Sequence, residues 1–216
     1  MRLLLALVVA TGLTASLPGC SSRPAASLAL VSPAVPPNPT VELFAVTTRR
    51  QAADEGELFN GERTTRPAYA RLTISIPKAR KIGEVDWPPA GGKPDPATTF
   101  AAVGLERLES DRFTAALRAW GRGPARGHVL VFVHGYNTRF DEAVFRLAQV
   151  VHDSGAPVTP ILFSWPSWGS LAAYPYDRES AAFSRDALEE LLARLAKDTS
   201  VTQVSVLAHS MGGWLT

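Results

Sequence analysis

Ser210 carries the strongest chemical signal in this 216-residue chain. It stands in Ala208-His209-Ser210-Met211-Gly212-Gly213, directly after the apolar run Val204-Ser205-Val206-Leu207. Such a run suits a buried strand, and a strand that turns sharply into a helix has no room for large side chains beside the turn. Ala208 and Gly212, two positions before and two after the serine, meet that demand. The turn throws the serine clear of the sheet, where its hydroxyl is placed to act as a nucleophile. A serine hydroxyl still needs a base to take its proton and donors to hold the oxyanion that forms. The backbone N–H of Met211 is aimed at that oxyanion, and His209 belongs to the turn's own support.

A second motif is independent of the first. His134-Gly135-Tyr136-Asn137 follows the unbroken apolar run Val129–Val133. Gly135 lets the backbone approach a substrate closely, and the N–H of Tyr136 is the candidate second oxyanion donor. His134 is expected to brace this loop through a hydrogen bond. None of the four histidines qualifies as the base. His209 adjoins the serine on a strand whose neighbouring side chains diverge, His152 sits at a helix end, and His128 lies at the wrong end of its strand. Asp177 reads as a helix-start residue and Asp186 as a surface charge. Where a serine sits on this kind of turn, the acid and histidine follow it in the chain. Both are therefore expected beyond Thr216. No metal-ligand spacing, phosphate loop or dinucleotide fingerprint appears, so no cofactor or metal is expected.

Parallel strands with crossover helices must position these groups. Val41–Val46 reads as a first strand, and Arg71–Ile76 as a second with Leu72, Ile74 and Ile76 on one face. The polar stretch around Asn60-Gly61 and the segment 83–100 read as loops. Phe113, Leu117 and Trp120 mark a helix. Thr138 with Asp141 fits a capping box, ahead of a helix with Phe140, Val144, Leu147 and Val151 on one stripe. Ile161–Phe163 is a short strand. A long helix over 179–197 is expected to bury Phe183, Ala187, Leu191 and Leu195, with Arg185–Glu189 and Glu190–Arg194 pairs outside. The strand 203–208 then leads into the serine turn. The aromatics Trp165, Trp168, Tyr174 and Tyr176 lie on the active-site edge, either lining a pocket or packing their loop down.

Val131–Asn137, Phe163-Ser164-Trp165-Pro166-Ser167 and Ala208–Gly212 together resemble a bacterial α/β-hydrolase family of unknown function. Phe44–Arg49 and Ile74–Pro77 are similar to its first strands. The resemblance covers residues 41–216 and implies an α/β-hydrolase fold with its C-terminal part missing, and an esterase- or lipase-like serine hydrolase working through an acyl-enzyme on Ser210. The implied partner is a small-molecule ester or lipid-like substrate. The alternative is a non-catalytic envelope module that keeps the scaffold for binding, or an inactive truncated fragment.

Composition and the N-terminus bound the rest. Lys+Arg 22 against Asp+Glu 20 is too even for a nucleic-acid surface, and 46% hydrophobic residues suit a globular domain. Arg2 and the apolar run Leu3–Ala10 read as a signal peptide over residues 1–19, too short for a permanent span. Leu17-Pro18-Gly19-Cys20 resembles a bacterial lipoprotein box, with Pro18 departing from the pattern. That resemblance implies lipidation of Cys20, membrane attachment through the lipid anchor, and an outer-membrane location facing the periplasm; an ordinary cleaved signal would instead mean secretion. Residues 20–40, rich in proline, are expected to form a tether, and 41–216 the domain. Cys20 is the only cysteine, so no intrachain disulfide can form.

Overall fold

The run His128–Val133 forms β4, and its apolar residues divide between the two faces of a sheet. The structure is a computed structural model describing residues 28–53, 56–89 and 92–216. The signal segment and Cys20 lie outside the described residues. Val129, Val131 and Val133 of β4 pack on one face, while Phe132 packs on the other. A strand buried on both faces has no polar side, which is why the run is continuous.

Six strands form one sheet in the order β3-β2-β1-β5-β4-β6. They are β1 (Thr40–Gln51), β2 (Phe59–Ser75), β3 (Ala101–Leu108), β4, β5 (Thr159–Ser164) and β6 (Gln203–Ala208). β1, β5, β4 and β6 run parallel, whereas β2 and β3 add antiparallel strands beside β1. Between them run α1 (Ser110–Gly121), α2 (Phe140–Ser154), α3 (Tyr174–Phe183), α4 (Arg185–Lys197) and α5 (Met211–Leu215). α2 covers one face, burying Phe140, Val144, Phe145 and Leu147. The other face is covered by α1 through Phe113 and Leu117, and by α4 through Leu188, Leu191 and Leu195. This is the α/β-hydrolase architecture, a mostly parallel sheet between helical layers.

Several local expectations change. β2 begins at Phe59, so Asn60-Gly61 is strand and not loop. Phe59 joins the core against Phe140, but the arm 60–67 beyond it carries no apolar alternation because it packs against the 168–180 region. Tyr176 OH donates to Gly61 O, and Arg63 donates to Tyr176 O and Ser180 Oγ. β3 has no counterpart in the sequence reading, since Ala101-Ala102-Val103-Gly104 is too small and short to signal an edge strand. The capping of α2 shifts by one residue: Glu142 Oε2 accepts the N–H of Arg139 at 2.7 Å, and Thr138 Oγ1 instead donates to Tyr136 O.

The expected single helix over 179–197 starts earlier and is interrupted at Ser184. Ser184 Oγ is 2.8 Å from both Ser180 O and Thr48 Oγ1, and such back-bonding bends a helix. The buried stripe is Asp177, Ser180, Ala181, Ser184, Leu188, Leu191 and Leu195. Leu191 and Leu195 are buried as expected, whereas the first half of the stripe is mostly polar and carries no apolar signal. Phe183 is exposed and Ala187 half-buried, while the Glu190–Arg194 ion pair is present at 3.1 Å. Residues 28–39 run without regular structure, with Leu28 buried and the Val31 N–H donated to Ala102 O.

β6 is an edge strand, and its Val206 and Leu207 are 43% and 41% exposed. Among the described residues no helix is long and apolar enough to cross a membrane.

Candidate active site

The parallel register brings four strand ends to one edge of the sheet. Val133 of β4 lies opposite both Phe163 of β5 and Ala208 of β6, and Thr47 of β1 lies opposite Ser164. The residues just beyond these positions are His134, Trp165, His209-Ser210 and Thr48-Arg49. Parallel pairing therefore gathers groups that are far apart in the chain.

Ser210 stands between β6 and α5 with φ 53° and ψ −122°. This region is sparsely populated for any residue but glycine and costs of order 1–3 kcal/mol. The turn is held by His209 N–H to Val133 O at 3.0 Å and by Gly212 N–H to His209 O at 2.9 Å. Gly212 is required by contact: a Cβ there would sit 2.5 Å from His134 O and 2.6 Å from Val133 O. Gly135 is also closely approached, since a Cβ would lie 2.7 Å from the side-chain Nδ1 of His209 and 3.1 Å from Ser210 Cβ. The two sequence motifs are thus in direct contact. Ala208, half-buried, packs at the base of the turn.

Among the described residues, the N–H groups of Tyr136 and Met211 have no hydrogen-bond acceptor. The backbone that follows Tyr136 is tied. Asn137 N–H donates to Asp177 Oδ2 at 3.1 Å, and Thr138 N–H donates to Ser167 Oγ at 3.0 Å. Asn137 adopts φ 57°, a conformation that asparagine tolerates better than most residues.

His134 is buried and tied into this wall. Its Nδ1 is 2.8 Å from Gly135 O. Nε2 lies 3.1 Å from both Ser164 Oγ and Trp165 O, so the neutral ring donates to one of its two carbonyl neighbours. Its ring stacks on Trp165 at 4.9 Å, and Trp165 Nε1 donates to His134 O at 2.8 Å. Burial, with the Arg49 charge beside it, pushes the imidazole down to about 3, so it stays neutral. Among the described residues no histidine hydrogen-bonds Ser210; His128 instead meets Ser205 Oγ at the far end of the sheet.

Arg49 and Asp177 hold places the sequence did not reveal. Arg49 is 1% exposed, and its guanidinium reaches Ser164 Oγ, Ser167 O and Thr138 O, each at 2.8 Å. Burial lowers it to about 10, opposed by the nearby carboxylates of Asp141 and Asp177. Asp177 does start a helix, but it is wholly buried and accepts hydrogen bonds from Asn137, Ser167 and Trp168. No local pattern marks either residue, because each acts on loops distant in sequence. Asp186 is exposed on the first turn of α4.

Ser210 opens onto a cleft of about 590 Å³ lined by Tyr136, Tyr174, Arg178, Glu179, Met211 and Trp214. The Tyr136 and Tyr174 rings meet edge to face at 5.2 Å. The other aromatics of this edge pack the loop: Trp168 lies on Gly61 and against Tyr176. A second cavity of about 550 Å³ lies beyond Gly135 and His209, walled by Trp87, Phe132, Arg146 and Leu207. The nucleophile candidate faces the first. No group of three or more His, Cys, Asp or Glu side chains able to hold a metal occurs among the described residues.

The family model described as α/β hydrolase of unknown function (DUF900) matches residues 111–216, which hold both motifs and Asp177. An uncharacterized protein of Nostoc sp. (strain PCC 7120) is 26% identical over 146 residues, covering 56% of this chain and 37% of that protein. The chain therefore spans little more than a third of that relative's length. No solved structure matches significantly. The sheet order, the crossover helices and the match place this chain in the α/β-hydrolase fold, with residues 111–216 similar to a family whose function is unknown.

Proposed function

We propose that this chain carries the nucleophile of a serine esterase of the bacterial cell envelope. Ser210 Oγ attacks the acyl carbon of an ester, and its proton passes to a histidine. The carbonyl oxygen becomes an oxyanion held by the N–H groups of Tyr136 and Met211. The tetrahedral intermediate then expels the alcohol, which takes the proton from the histidine and leaves an acyl-enzyme on Ser210. Water repeats the sequence to release the carboxylic acid. Among the described residues no histidine is placed against Ser210 to take that proton. His134 cannot serve, being buried, neutral and fully engaged.

One observation carries the reading: two backbone N–H groups without acceptors flank a serine held in a strained turn conformation. The aromatic wall of Tyr136, Tyr174 and Trp214 suits the apolar portion of an ester. Anchoring by a lipidated Cys20, just ahead of the segment 28–39 that packs onto the domain, would place the site near a membrane surface.

The test is covalent labelling of the intact protein with a fluorophosphonate. The expected result is one adduct, on Ser210, abolished by Ser210→Ala. Metabolic palmitate label should be lost with Cys20→Ser. A folded protein that never labels would favour the non-catalytic scaffold.

A further inference from the structure

We propose that Asp177 is a positioning residue for the oxyanion donor at Tyr136, with Arg49 clamping the same loop from its other side; the proposal rests on Ser210 being the nucleophile. Three donors and no acceptor face the Asp177 carboxylate. Oδ2 accepts from Asn137 N–H at 3.1 Å and from Ser167 Oγ at 2.5 Å, and Oδ1 accepts from Trp168 N–H at 2.7 Å. Ser167 Oγ, its proton committed to Asp177, accepts the Thr138 N–H at 3.0 Å. Arg49 completes the clamp from β1, donating to Thr138 O and Ser167 O at 2.8 Å each. Arg49, Ser167 and Asp177 are all at most 1% exposed.

These contacts decide where the untied N–H of Tyr136 points. Asn137 is held at φ 57°, a left-handed conformation that asparagine tolerates and that an outside contact can fix. Asp177 supplies that contact at the N–H of Asn137, one peptide beyond Tyr136. Thr138 is fixed at both its N–H and its carbonyl. The loop is pinned immediately after the donor, and Gly135 abuts Ser210 immediately before it. A displacement of about 1 Å is enough to spoil an oxyanion contact. Only a carboxylate fits the position: an asparagine must turn its NH2 toward at least one of the three donors, leaving that donor unpaired.

The experiment compares the intact protein with Asp177→Asn by amide hydrogen exchange and by turnover of p-nitrophenyl acetate. Exchange in residues 135–138 should accelerate at least about tenfold, with β4 and β5 unchanged, because only loop hydrogen bonds are lost. The kcat should fall roughly 100-fold with KM within about threefold, as for loss of one oxyanion donor. Should Asp177→Asn fail to fold, Ser167→Ala breaks the same link more gently and should give a smaller loss of the same kind. Unchanged exchange and kcat would overturn the proposal. So would faster exchange spread evenly through the sheet with a raised KM, since that is general loosening. Ser210→Ala, run alongside, should abolish turnover while leaving loop exchange as in the unchanged protein. Turnover surviving in Ser210→Ala would sink the serine reading alone, and the exchange arm would still decide whether Asp177 holds the loop.

Discussion

Two glycines show how closely the candidate site is packed at the residue scale. The carbonyls facing Gly212 belong to β4 and its following loop, so neither can yield without moving the oxyanion wall. Gly212→Ala is expected to abolish fluorophosphonate labelling and to cost about 1–3 kcal/mol, the usual range for overpacking. Gly213→Ala is the control, since nothing lies within 4 Å of its Cβ. It should keep labelling and leave the melting temperature unchanged or raised, alanine being the better helix former. Ser210, Gly135 and Gly212 were legible in the sequence because a sharp turn dictates residue sizes at fixed offsets. Arg49 and Asp177 were not, because what defines them is the set of loop carbonyls and amides they meet.

Elements were legible in proportion to their apolar content. β4, β5 and α2 fall where their apolar pattern places them, because their side chains meet the core. β6 also falls in place, but it is an edge strand with Val206 and Leu207 exposed, not the buried strand expected. The β1–β2 arm and the first half of the α3–α4 stripe were misread for one shared reason: they pack on each other through polar groups. Arg63 lies over the Tyr176 ring at 4.5 Å, and Thr48 meets Ser184. Ser184→Ala tests that contact. It should straighten the junction and leave the buried Thr48 hydroxyl without its partner, at a cost of about 1–2 kcal/mol in a urea melt. No stability change would mean that the polar seam is passive.

The buried titratable groups beside the site should shape stability against pH for the molecule as a whole. Burial raises Asp141 from its ordinary 3.8 to about 6, with Arg139 only partly opposing. The folded state then holds a proton that the unfolded chain releases, so this group's contribution is lost as pH rises from about 4 to 6. The gap corresponds to roughly 3 kcal/mol. His134 acts in the opposite sense: depressed to about 3, it resists a proton that the unfolded chain accepts, so stability falls as pH drops below about 6.5. Because the two trends oppose each other between about pH 4 and 6, thermal melts should be nearly level there in the unchanged protein and should rise with pH in Asp141→Asn. An unchanged profile in Asp141→Asn would mean that its carboxyl titrates normally in the folded protein.

The amino-acid sequence alone determined the alternating strands and helices of the parallel sheet, the serine at its turn and the glycine loop before it. Those features depend on side-chain size and period, which are local properties. Tertiary structure decided what surrounds them. Parallel register carried Arg49 of β1 to the edge where β4, β5 and β6 end, and the kink at Ser184 accompanies a polar stripe on α3 that buries Asp177 under the 134–138 loop. A buried polar group is placed by the donors and acceptors it satisfies, and those come from segments that only the fold brings together.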